Sequence, residues 1–117
     1  MSEEFKVDIK QTEPGIAVLV VHGYLDAHTF EQMDNTINTL YEQKAFKLVV
    51  DLSHVPYISS AGAGVFIGAV GTAQDNSGNI VMVNPQPNVR EVFDLLGLTQ
   101  IFLFANDTPA ALKLLRE

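Results

Sequence analysis

The strongest constraint on this chain is a set of apolar runs that are short for helices and too continuous for half-exposed strands. Ile16-Ala17-Val18-Leu19-Val20-Val21, Leu48-Val49-Val50, Ile80-Val81-Met82-Val83 and Ile101-Phe102-Leu103-Phe104 are rich in β-branched or aromatic residues and do not alternate with polar ones. A strand with one wet face alternates, whereas a strand covered on both faces does not. The runs therefore predict strands buried on both sides. Phe5-Lys6-Val7-Asp8-Ile9 does alternate, which fits an edge strand, and Glu13-Pro14-Gly15 supplies a turn from it into the first run. Those two strands are expected to form a hairpin.

Helical patterns fill the intervals. From Thr29 to Lys44, apolar Phe30, Met33, Ile37, Leu40 and Tyr41 recur at three- and four-residue steps, the mark of an amphipathic helix. A second helix begins after Ser59-Ser60 and runs to the stop and turn residues Asn76-Ser77-Gly78-Asn79. A third starts after Pro87, carries Val89, Val92, Phe93 and Leu96 on one face, and is closed by Gly97. The fourth has Asp107-Thr108 as its cap, Pro109 in its first turn, and Leu112 and Leu115 facing inward. Strands alternating with helices imply right-handed crossovers and helices laid on a mainly parallel sheet. The predicted fold is α/β in the order β-β-α-β-α-β-α-β-α, with five strands, four helices and an antiparallel N-terminal edge strand.

At 117 residues and 47% hydrophobic, the chain is expected to form one domain over 1–117, with no internal repeat or linker. It has too few strands for separate cofactor and substrate lobes, which argues against an enzyme. The net charge of −7 argues against nucleic acid and anionic membranes as partners. The absence of cysteine excludes disulfides, thiolate metal sites and cysteine nucleophiles. Met1-Ser2-Glu3-Glu4-Phe5-Lys6 is polar and acidic, unlike a signal peptide, and the apolar runs fall far short of the ~20 residues of a membrane helix. A cytoplasmic protein is expected.

The informative stretch runs from Val49-Val50-Asp51-Leu52-Ser53 through His54-Val55-Pro56-Tyr57-Ile58 to Ser59-Ser60-Ala61-Gly62-Ala63-Gly64. It leads from a buried strand, through a proline-bearing loop, to two serines where a helix begins. Position alone makes such a serine an N-cap, its oxygen accepting from an orphan backbone N–H. Behind it, Ala61, Gly64, Gly68 and Gly71 fall on one helical stripe. Each glycine costs about 1 kcal/mol against alanine in a helix interior, so a close approach is expected in compensation. The stripe packs against the protein's own sheet or forms a smooth face beside the serines; periodicity leaves both open.

These residues carry a resemblance. Gly23-Tyr24-Leu25-Asp26-Ala27 resembles the strand-to-helix turn of STAS domains of the anti-sigma factor antagonist type. Asp51-Leu52-Ser53 with Val55 and Ser59-Ser60-Ala61-Gly62 resembles their phosphorylation loop, and Val92-Phe93-Asp94-Leu95-Leu96-Gly97-Leu98 their third-helix signature. The resemblance covers nearly the whole chain. It implies a partner-switching protein that binds an anti-sigma factor with serine kinase activity when unmodified and releases it once phosphorylated, with a phosphatase to reset the cycle. By position the phosphoserine is Ser60; Ser59, standing where the family often has aspartate, is the alternative acceptor, and Ala61 replaces a frequent serine or threonine. The implied partner surface comprises Tyr24, Asp26, Tyr57, Ser59, Ser60, Ala61, Gly62 and Gly64. No cofactor is implied, since nucleotide would belong to the kinase.

Other chemistries fit less well. Ser60, His22, His28, His54, Asp26 and Asp51 supply the residue types of a hydrolase triad, but a nucleophile elbow needs glycine two residues to each side, and Ile58 stands at the first of those places. His22, His28 and His54 with Asp26 match no metal-ligand spacing, and no lysine follows Gly62-Ala63-Gly64 as a phosphate loop requires. The remaining alternative is a STAS-like structural or ligand-sensing module in which Ser60 is only a cap.

Overall fold

The computed structural model describes residues 4–117, so Met1, Ser2 and Glu3 of the polar opening segment lie outside the described residues. One five-stranded sheet runs β1 (Lys6–Glu13), β2 (Ile16–His22), β3 (Lys47–His54), β4 (Asn79–Val83), β5 (Leu103–Ala105), in sequence order across the sheet. β1 is antiparallel to β2 and the rest are parallel. Four helices connect or follow these strands: α1 (Phe30–Glu42), α2 (Ser60–Asp75), α3 (Pro87–Leu95) and α4 (Thr108–Arg116).

The continuous apolar runs are explained by two separate cores, one on each face of the sheet. Ala17, Leu19, Val21, Leu48, Val50, Ile80 and Met82 pack with α1, α2 and α3, through Met33, Ile37, Phe66, Ala69, Val70, Val89 and Phe93. Their strand neighbours Ile16, Val18, Val49, Val81 and Val83 pack with Ala111 and Leu115 of α4. Successive side chains point to opposite faces, so a strand covered on both must be apolar at every position. In the hairpin, Gly15 adopts a φ of 82°, a conformation that strains residues with a Cβ, which is why glycine follows Pro14.

Three expectations are corrected. The last strand is Leu103–Ala105, not Ile101–Phe104. Gly97, at φ 73°, reverses the chain after α3, and a 3-10 turn over Leu98–Gln100 uses up the following residues. Ile101 and Leu103 are consequently exposed on an edge, while Phe102 turns inward against Phe66 and Phe93. Leu96 lies beyond the end of α3 and is 44% exposed, so it is not part of the inward face. The glycine stripe, finally, has no close approach to compensate it: a methyl group on Gly64, Gly68 or Gly71 would meet nothing within 4 Å among the described residues. Gly68→Ala is therefore expected to raise stability by about 1 kcal/mol, read as a higher urea midpoint at unchanged slope.

α1 and α2 are joined by a buried polar contact, the Tyr41 hydroxyl donating to the Ala69 carbonyl at 2.7 Å. Burial pushes the Tyr41 hydroxyl above its ordinary pKa. The unfolded side chain ionises at about 10, where the folded one still holds its proton, so stability is full below that pH and falls as pH rises beyond it. Tyr41→Phe is expected to lose about 1 kcal/mol at neutral pH and to lack that alkaline decline, measured by denaturant melts at both pH values.

Candidate functional site

At the C-terminal end of the parallel strands, two segments meet edge to edge. The loop after β2 and the loop after β3 form a single parallel bridge between Leu25 and Ile58. Leu25 donates its N–H to the Tyr57 carbonyl at 3.1 Å and accepts from Ser59 N–H at 3.0 Å. Gly23 N–H reaches the His54 carbonyl at 3.3 Å. Leu25 and Ile58 bury their side chains in the core, which turns the flanking Tyr24 and Tyr57 outward, 37% and 47% exposed. The two tyrosine rings meet edge to face with centroids 5.8 Å apart.

The close contact explains a glycine. A methyl group on Gly62 would strike the Leu25 carbonyl oxygen and lie 2.8 Å from its carbon and 2.9 Å from Cγ of the same residue. The close approach expected of the stripe thus occurs instead at Gly62, on the buried side of α2. Of the residues proposed to meet a partner, Gly62 alone is buried, and its role is internal.

The two serines divide their work. Ser59 has extended backbone angles and is the N-cap of α2, its Oγ accepting from Gly62 N–H at 3.2 Å. Ser60 is the first helical residue and is exposed, and no hydrogen bond to its hydroxyl occurs among the described residues. The N–H groups of Ser60 and Ala61 likewise have no partner there, as expected of a first turn. α1 and α2 together carry Glu31, Asp34, Glu42 and Asp75 and no lysine or arginine. An anion on Ser60 is therefore met by the positive end of the helix and free N–H groups, not by a cationic side chain of either helix. Ser59→Ala is expected to cost about 1 kcal/mol of stability, measured by thermal unfolding, because the cap is lost.

Asp26, Ala61 and Gly64 complete the predicted set. Asp26 Oδ1 accepts from His28 N–H at 2.9 Å, and its carbonyl accepts from Phe30 N–H at 2.9 Å, so it builds the turn into α1. Thr29, a residue that sequence reasoning did not single out, accepts from Asp26 N–H at 3.0 Å and donates to the Tyr24 carbonyl at 2.8 Å. Ala61 is exposed and Gly64 half-buried beside an open groove of about 480 Å³ between α1 and α2, lined by Phe30, Asp34, Asn38 and Gly68 among others. Asp51 Oδ1 accepts from both the N–H (2.9 Å) and the hydroxyl (2.7 Å) of Ser53.

His22 and His54 stack with centroids 4.9 Å apart, and His22 Nε2 lies 3.2 Å from Asp8 Oδ2. Among the described residues neither ring reaches Ser60, as a base activating a nucleophile must. No three histidine or carboxylate groups there gather as metal ligands do. No helix there is long and apolar enough to cross a membrane.

The model of the STAS domain matches residues 9–111. The chain belongs to the STAS family. A relative in Bacillus subtilis, the anti-sigma-B factor antagonist, is 32% identical over 95 residues, covering 81% of this chain and 85% of the relative. The fold is that of SpoIIAA, an anti-sigma factor antagonist solved in its unphosphorylated form, with a TM-score of 0.81 at 23% identity over 93% of this chain and 96% of that one. The phosphorylated form of SpoIIAA superposes with a TM-score of 0.73 at 22% identity over 93% and 99%. The STAS fold inferred from the sequence, with its antiparallel first strand, is the one observed.

Proposed function

We propose that this STAS domain, spanning 1–117, is a cytoplasmic anti-sigma factor antagonist that switches partners through a phosphate on Ser60 and has no catalytic role of its own. Its partner is an anti-sigma factor with serine kinase activity, and a phosphatase resets it. Tyr24, Tyr57, Ser60, Ala61 and Gly64 make the contact surface, with Asp26 and Ser59 holding it in shape. The observation that carries the reading is the division between the serines. Ser59 Oγ is engaged in capping α2, whereas Ser60 is exposed and, among the described residues, neither its hydroxyl nor the N–H groups of Ser60 and Ala61 have a hydrogen-bond partner. Ser60 is thus the hydroxyl a kinase can reach without unwinding the helix. The name of the Bacillus subtilis relative supports the same partner class.

A phosphate of about −1.5 to −2 charge at that position is compatible with the fold, since the helix end stabilises it. The test is mass spectrometry of the protein isolated from its own cells, with Ser60→Ala in parallel. Phosphate confined to Ser60, and lost in Ser60→Ala, is expected. Phosphate on Ser59 alone would reverse the assignment, and none under any growth condition would favour a structural or ligand-sensing module.

A further inference from the structure

The end of β3 and the loop that leads from it to α2 give away their carbonyls in an orderly way. Those of His54 and Tyr57 are taken by Gly23 and Leu25, backbone to backbone. Those of Ser53 and Pro56 are taken by side chains from the start of α3: Nε2 of its N-cap residue Gln86 donates to Ser53 O at 3.0 Å, and Asn88 Nδ2 to Pro56 O at 2.7 Å. The backbone bonds form whatever the side chains at those positions; the bonds from α3 exist only because amides stand at 86 and 88.

Gln86 stands at the N-cap position without making a side-chain cap bond, and Asn88, the second residue of α3, turns its amide to the loop, so both side chains bond the neighbouring segment and not their own helix. The Ser53 carbonyl so held belongs to the residue already fixed by Asp51, and the Pro56 carbonyl lies three residues before the Ser59 cap.

We propose that Gln86 and Asn88 are positioning residues that hold the loop from the side opposite Leu25 and so set where Ser60 is presented. The proposal rests on the reading of Ser60 as the modified hydroxyl, but its structural half is measurable without that reading. Gln86→Glu and Asn88→Asp keep shape and remove the donor, and a carboxylate in the first turn of a helix is favoured by the dipole. The pair is therefore expected to leave the melting temperature unchanged while loosening the loop. A residue that merely supported the fold would show the opposite.

The experiment has two arms on the full chain. Amide hydrogen exchange at Leu25 and Ser59 is expected to speed up about fivefold in Asn88→Ala or Asn88→Asp, and tenfold or more in the double variant. In a lysate of the source cells supplied with ATP, the initial rate of phosphate incorporation at Ser60 is expected to fall about fivefold in Asn88→Ala. Asn88→Gln, which keeps an amide donor, is expected to recover most of the rate. Unchanged exchange in the double variant overturns the proposal, as does an unchanged phosphorylation rate in a lysate that modifies wild type. A lysate that leaves wild type unmodified counts against the reading of Ser60, and the exchange arm then decides the bracing role alone.

Discussion

Ser60→Glu is expected to bind the anti-sigma partner on the order of a hundredfold more weakly than wild type, while melting at the same temperature or slightly higher. The two effects have opposite signs because the carboxylate meets different surroundings in each state. In the free protein it sits at the first helical position of α2, beside unpaired N–H groups, where an acid contributes about 0.3–1 kcal/mol. In the complex it is pressed into a contact surface where α1 and α2 supply no cation to pair with it. An imperfectly paired charge taken from water there costs about 3 kcal/mol, and each 1.4 kcal/mol is about tenfold. Ser60→Ala should bind as wild type does. Titration calorimetry against the protein captured by wild type measures both, and equal affinities for wild type and Ser60→Glu would remove Ser60 from the interface.

Gly62→Ala is expected to destabilise the protein by about 3 kcal/mol or more, and Gly64→Ala, two residues away, to stabilise it by about 1 kcal/mol. The first methyl is driven into the backbone of Leu25, where no side chain can rotate aside, so the start of α2 must shift or the bridge between Leu25 and Ile58 must open. The second enters open space. Urea unfolding followed by circular dichroism gives both numbers; a Gly62→Ala midpoint equal to wild type would mean that the two segments are not in the contact described.

The pair of glycines also marks where sequence reasoning stops. Strands were legible because double-sided burial leaves no polar position in Ile16–Val21 or Ile80–Val83, and helices because Met33, Ile37, Leu40 and Tyr41 repeat at helical spacing. In α2 nearly every residue is small or apolar, so periodicity cannot tell the face against the sheet from the face towards solvent; Gly62 and Gly64 look alike until a neighbour is placed beside them. The same limit applies around β5, where Phe102 just before the strand and Phe104 within it turn inward but a left-handed Gly97 and a tight turn decide which residues pair with β4. At the site, the resemblance puts the phosphoserine at Ser60 with Ser59 as the alternative, but the residues alone do not say which serine caps α2, because cap and first helical residue differ only in backbone angles. Thr29, Gln86 and Asn88 act on backbone carbonyls, which have no signature in a sequence.

Leu25 serves both segments of the site with its own main chain, giving its N–H to one residue of the loop after β3 and its carbonyl to another. Tyr24, Tyr57 and the start of α2 are therefore parts of one stiff plate, not separate flaps that fold over an arriving protein. A plate formed before the encounter has little freedom left to lose when it docks. Changes to its surface should then alter the lifetime of the complex far more than the rate at which it forms.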